Sequence, residues 1–288
     1  MDTYRKTAMG FSSLAACCWL SSIGILGLTA AAAPVTVHVV DGMVDGRFVG
    51  RYTSQLQENV IDSMFPAVNS SSWAGVSMVD SSVLRYLDLE GDYMADAPLS
   101  LPSLLVLRLS GSITDSKNLS ESPLNGAPSA YPALVMLNGT TFSAVVSKNN
   151  RSRAVINASV HTSTKMHAVS VLDGQKNSVR GIRALAQWQT AIGVRGGSQN
   201  EVSSCEVGGV AGQPIASRAI WTIATSRAYI HHNHVHHSNM HALDFDAYTS
   251  NSVAWGNLCE DNRDEGIFVE ETATDNVIAA NVCRRNQN

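Results

Sequence analysis

Two stretches near the end of the chain repeat each other at a fixed offset of 24 residues, and no other feature limits the fold as tightly. Ser252-Val253-Ala254-Trp255-Gly256-Asn257-Leu258-Cys259-Glu260-Asp261-Asn262 aligns with Asn276-Val277-Ile278-Ala279-Ala280-Asn281-Val282-Cys283-Arg284-Arg285-Asn286, and Val, Asn, Cys and Asn recur in step. One step back lie Tyr229, His231, Asn233, Val235 and Ser238. A further step, with three extra residues allowed in the loop, brings Val202 under Tyr229. Short units of this length bury their apolar side only by stacking on their neighbours. Apolar residues alternate within each unit, whereas a helix would need them at i, i+3, i+4 and i+7. The expected fold is all-β: a parallel β-helix solenoid with coils of about 24 residues. Alternation assigns Tyr229, Val253 and Val277 to an inward stack, with His231, Trp255 and Ala279 also inward. Cys259 and Cys283 fall one above the other, and whether they pair is left open. Asn233, Asn257 and Asn281 are expected to form a ladder whose stacked amides bond along the axis.

Composition narrows the partners. The 288 residues are 44% hydrophobic and 15% charged, too apolar for a disordered chain and too weakly charged for a coiled coil. The net charge of −4 leaves no basic footprint, which excludes nucleic acid as the expected partner. Arg5 and Lys6, the apolar run from Leu14 to Leu28 and the small residues Thr29 to Ala33 read as a signal peptide over 1–33. An uncleaved anchor is the alternative. No later stretch is long and apolar enough to span, so a secreted or extracellular protein is expected, with no membrane span once the signal is removed. The mature chain would keep Cys205, Cys259 and Cys283, an odd number without a CxxC zinc pattern. Sequons at Asn69, Asn118, Asn138, Asn150 and Asn157 suggest a glycoprotein if the host is eukaryotic. Residues 34–82 are expected to form an N-terminal cap or irregular lobe and 83–288 the solenoid. Because the chain stops in mid-coil after Asn286, the solenoid reads as truncated.

The pattern Val-x-Trp/Ala-x-Asn-x-Cys-x-x-Asn resembles the right-handed parallel β-helix repeat of pectate-lyase-like proteins, over about residues 190–288. That superfamily includes polysaccharide lyases, hydrolases and mannuronan C5-epimerases. Leu243-Asp244-Phe245-Asp246-Ala247-Tyr248-Thr249-Ser250-Asn251 is similar to the epimerase stretch that carries Asp-Pro-His-Asp followed by Tyr. Asp244 and Tyr248 match; Phe245, Asp246 and Ala247 stand where that family has Pro, His and Asp. Gly266 to Glu271 is similar to a strand of fibrocystin-like β-helices. The resemblance implies a carbohydrate-active protein whose partner is an acidic polysaccharide.

The same offset places the candidate site. Leu243 and Phe245 stack inward on Ile267 and Val269, which turns Asp244 and Asp246 outward, with Glu270 one coil above Asp246. Counting down puts Thr222 and then Arg195 in the same outward column, flanked by His241 and Tyr248. Such a strip suits proton abstraction at C5 of a uronate, the first step shared by lyases and epimerases: a His or Tyr removes the proton while a cation or protonated acid neutralises the sugar carboxylate. His241, Asp244, Asp246 and Tyr248 are the catalytic candidates, and Arg195, Glu270 and His234 the substrate-binding ones. No cofactor is certain, though an Asp–Glu pair could hold Ca²⁺. Outward His232, His234 and His236 could bind a transition metal or form a merely solvated strand. The alternative to an enzyme is a non-catalytic surface or matrix glycoprotein that binds glycans or proteins on this face.

Overall fold

The computed structural model describes residues 35–40, 43–44, 47–48, 53–61, 64, 84–116, 133–148, 154–159, 166–186, 189–209, 215, 217–270 and 272–287. The proposed signal peptide, much of 34–82 and the sequons at Asn69, Asn118 and Asn150 lie outside them. Asn138 is half-buried, and its Oδ1 accepts the Leu172 N–H at 3.2 Å. Asn157 is half-buried in the strand Val155–Ala158.

The described residues form a right-handed parallel β-helix, short parallel strands joined by corners with almost no helix. A full coil supplies three strands, here a, b and c. Tyr229–His231, His234–His236 and Leu243–Phe245 make one coil; Val253–Trp255, Leu258–Glu260 and Ile267–Val269 make the next. They pair parallel, Tyr229 on Val253, His234 on Leu258 and Leu243 on Ile267. The c strands form a 7-stranded sheet and the a and b strands belong to a 17-stranded one. Arg85–Ala95 and Leu105–Asp115 are long enough to run through both a and b, in register along their whole length. Val35–Val40 joins the a column as a parallel neighbour of Arg85–Glu90. Thr53–Ile61 forms a short helical segment that buries Leu56, Val60 and Ile61 in the core. No helix among the described residues is long and apolar enough to cross a membrane.

The interior consists of apolar stacks. Leu107, Val145, Val179, Val202, Ile230 and Ala254 lie one above another in a; Ile113, Ile156, Ala184, Val207, Val235 and Cys259 do so in b. Val169, Ile192, Ile220 and Leu243 form the c stack. All are buried. The inward phase expected for a is therefore reversed. Tyr229 and Val277 are exposed, as is Trp255, and the inward residues are Ile230 and Ala254. The cause lies at the corner. His232 and Gly256 have φ of 54° and 62°, and a left-handed residue breaks the alternation, so Ile230 and Asn233 both face in. The loop count also shifts by one: Tyr229 pairs with Glu201, and Val202 with Ile230. Cys259 and Cys283 are register partners with free thiols, the first buried and the second exposed.

The expected ladder is present, and two more accompany it. Asn257 Oδ1 accepts the Asn233 N–H at 3.0 Å, its own N–H donates to Asn281 Oδ1 at 2.9 Å, and its Nδ2 donates to the Ile230 carbonyl at 2.9 Å. At the corner before a, the N–H of Asn177 donates to Asn200 Oδ1 and that of Ser252 to Asn276 Oδ1. At the corner after b, Ser238 and Asn262 donate to Asn262 and Asn286 Oδ1. These amides satisfy backbone groups that a buried bend leaves without a strand partner. Glycine serves where two bends touch. Gly197 has φ of 65°, and a Cβ there would stand 1.9 Å from the Gly174 carbonyl oxygen. Gly197→Ala is expected to cost more than about 1 kcal/mol, seen as a lower urea midpoint at unchanged slope.

Candidate functional site: the outer face of the c sheet

On the c sheet the outward positions of successive coils are Gly193, Trp221, Asp244 and Phe268, in register. Arg218, His241 and Glu265 precede their strands at matching places. Asp246 and Glu270 follow, the Glu270 N–H donating to the Phe245 carbonyl at 3.0 Å. Thr222 does not belong to this column. It pairs with Phe245 and is buried, because Leu243 aligns with Ile220 and a uniform step of 24 overshoots there by one residue. Ile223 takes its place, in register with Arg195.

Arg218 organises the face. Its guanidinium donates through Nε to Asp244 Oδ2 and through Nη2 to Glu270 Oε1 at 3.3 Å, and Nη2 lies 3.8 Å from Asp246 Oδ2. Trp221 Nε1–H donates to Asp246 Oδ2 at 2.7 Å and the Ala247 N–H to Asp246 Oδ1 at 2.6 Å. His241 Nδ1 stands 2.7 Å from Glu265 Oε2 and 3.7 Å from Asp264 Oδ2, its ring stacked on Phe268 with centroids 4.2 Å apart. Ligand atoms of His241, Asp244 and Glu270 lie within 4.8 Å of one another. Asp244 is 1% exposed, and its Oδ1 has no hydrogen-bond partner among the described residues.

The two aspartates are electrostatically unlike. Burial pushes the Asp244 carboxyl up to about 6, against the opposing pull of Arg218. Asp246 is held below its ordinary value: burial opposes this, but the N–H groups of Ala247 and Trp221 bond its ionised form. Asp244, Asp246, Asp264, Glu265 and Glu270 thus surround one guanidinium and one imidazole. Ca²⁺ does not fit this donor set. It takes about six to eight oxygens, whereas Arg218 already bridges Asp244 and Glu270 and the third neighbour offers imidazole nitrogen.

Of the sequence candidates, His241, Asp244, Asp246 and Glu270 come together. Tyr248 stands in the turn after Phe245, at φ 62° and with 69% of its surface exposed. Arg195 is half-buried two coils from Asp246, on the level below Ile223. His234 is on the b face, its Nε2 2.9 Å from Glu260 Oε1. Arg218, Trp221, Glu265 and Phe268 escaped sequence reasoning. Trp221 and Phe268 sit at the register positions of Asp244, a signal that correct coil alignment would have exposed.

A parallel β-helix with an acid-lined outer sheet is the class that fold and site define. No protein-family model matches the chain, and no curated protein matches it. Among solved structures it is similar to the Dettilon tailspike protein (gp208), at 11% identity and a TM-score of 0.47, covering 84% of this chain and 48% of that one. The chain thus spans about half the length of that structure.

Proposed function

We propose that the protein is a secreted, carbohydrate-active β-helix protein whose c face acts on an acidic polysaccharide by removing the C5 proton of a uronate residue. The observation that carries this reading is the His241–Glu265 pair beside Asp244. Glu265 holds Nδ1–H, so Nε2 offers its lone pair as the base. Arg218, the partly exposed cation of the face, donates hydrogen bonds to the sugar carboxylate and so neutralises the charge that would oppose carbanion formation. Asp244, with no exposed side-chain surface, holds the guanidinium from beneath and, when protonated, leaves its positive charge to the sugar. The C5 electron pair then either expels the 4-linked sugar, leaving a double bond, or recaptures a proton on the opposite face. Since Asp244 must carry its proton, activity is expected below pH about 6 and to fall as pH rises through that value.

The hydrogen bond between Glu270 and Asp246 favours a second reading, hydrolysis with the more exposed Glu270 as acid and Asp246, held ionised, as base. Proton NMR in D₂O with alginate, pectate and glycosaminoglycans separates the two. Deuterium at C5 marks an epimerase, vinyl signals a lyase, and new reducing ends without vinyl signals a hydrolase. His241→Ala is expected to slow exchange or elimination by ~10²–10⁴-fold. Silence across the panel from folded protein would overturn both readings and leave a glycan-binding surface glycoprotein.

A further inference from the structure

The coil containing Tyr229–His231 and His234–His236 carries five of the chain's nine histidines on its a and b sides: His231, His232, His234, His236 and His237. Consecutive strand residues point to opposite sides, so adjacent rings do not ordinarily meet. Here His232 and His237 each occupy a corner at φ 54°, which turns the ring back onto its predecessor. His231 Nδ1 stands 2.8 Å from His232 Nδ1, and His236 Nδ1 2.9 Å from His237 Nδ1, with ring planes at 83° and 90°. In each pair the far nitrogen of the first ring faces a carboxylate of the coil below. Glu201 Oε1 is 2.9 Å from His231 Nε2, and Glu206 Oε1 is 3.5 Å from His236 Nε2. A carboxylate there keeps the first ring's proton on Nε2 and leaves its Nδ1 lone pair to accept the second ring's Nδ1–H. A shift of that proton to the second ring's Nε2 frees both Nδ1 lone pairs for a metal ion, in the arrangement that orients metal-ligating histidines. The same device therefore occurs twice, at successive corners of one coil.

The spacing selects the ion. With metal–nitrogen bonds of ~2.0–2.1 Å, two nitrogens 2.8–2.9 Å apart subtend about 85–90° at the metal. That is the cis angle of a tetragonal site and is narrower than the ~109° of tetrahedral zinc. We propose that this coil holds two transition-metal sites, His231–His232 and His236–His237, each a cis-imidazole chelate for a tetragonal ion such as Cu²⁺ or Ni²⁺, oriented by Glu201 and Glu206. Water completes the coordination. His234, between the pairs, is engaged by Glu260 and is outside both chelates. Arg180 Nε lies 3.8 Å from Glu201 Oε1 and Arg183 Nε 3.0 Å from Glu206 Oε1, so each orienting carboxylate also faces a guanidinium. The sites lie on different strands from the acid-lined c face and rest on neither reading of it.

The test is titration of the full chain with Cu²⁺ alone and then Ni²⁺ alone, followed by calorimetry, with electron paramagnetic resonance for Cu²⁺. Two bound equivalents with a tetragonal signal and nitrogen hyperfine splitting are expected. His232→Ala should retain one equivalent, His232→Ala with His237→Ala none, and His234→Ala both. Glu201→Gln should weaken one site by ~10-fold or more while its stoichiometry persists. Fewer than two equivalents on the wild-type chain, or two on the double variant, would overturn the assignment.

Discussion

Arg218→Ala is expected to destabilise the protein by about 3–5 kcal/mol, because it leaves a buried carboxylate without its cation. The Asp244 side chain is 0% exposed and the Arg218 side chain 22%, so solvent screens this pair little. Glu270 and Asp246 lose the same guanidinium, which turns a bridged group of acids into mutual repulsion. The loss should depend on pH. Asp244 has a native pKa of about 6 against an ordinary value of 3.8, so the native state binds its proton more readily than the unfolded chain does. The burden of burying it as an anion is full above pH 6 and is relieved as pH falls toward 4. The Arg218→Ala penalty should therefore be greater at pH 8 than at pH 5. Urea denaturation of Arg218→Ala, Asp244→Asn and the double variant forms the check. The double variant should recover most of the loss, since the charge and its counter-charge leave together. A single-variant cost below about 0.5 kcal/mol, the scale of ordinary surface changes, would show that Arg218 does not hold this face together.

Asn257→Ala is the second large effect, expected at about 3–5 kcal/mol. Removing the amide strands the Asn233 N–H and the Ile230 carbonyl, both inside the stack, and takes a donor from Asn281 Oδ1. A buried polar group left unpaired costs about 1–3 kcal/mol, and no water reaches a residue that is 1% exposed. Asn281→Ala, one coil further along and half-buried, should cost distinctly less. Thermal melts of the two variants give the comparison. Equal losses would mean that the ladder acts through corner conformation rather than through interior hydrogen bonds.

The fold was legible where side-chain identity recurred at constant spacing. Asn257 and Asn281 stand exactly one coil apart in matching surroundings, and the central ladder could be read from them. The other two ladders mix Ala228, Ser252 and Asn276, or Ser238 and Asn262, so the common role is hidden by changing chemistry. The facing of the a strand was misread at His232 because alternation presumes extended backbone, and a left-handed corner violates that silently. Asp244 and Asp246 lie on outward positions, as alternation between buried Leu243 and Phe245 implies. Arg218 was illegible for a different reason: it lies in a coil that departs from the common length, so counting back by 24 misses it, and its reach across two further coils leaves no local pattern.

The three ladders fix how such a chain can diverge between lineages. Each amide must find its neighbour one coil on, and most corners keep a step of 23 or 24 residues. The step from Cys205 to Asn233 is 28. Its surplus falls between Gly208, the partner of His236, and Ile215, the partner of Ser238, so it is taken up at the corner after b, ahead of Arg218. Natural selection can lengthen, shorten or replace that segment without retuning the stack, so the residues presented to a ligand can drift while the scaffold beneath them stays under strict count.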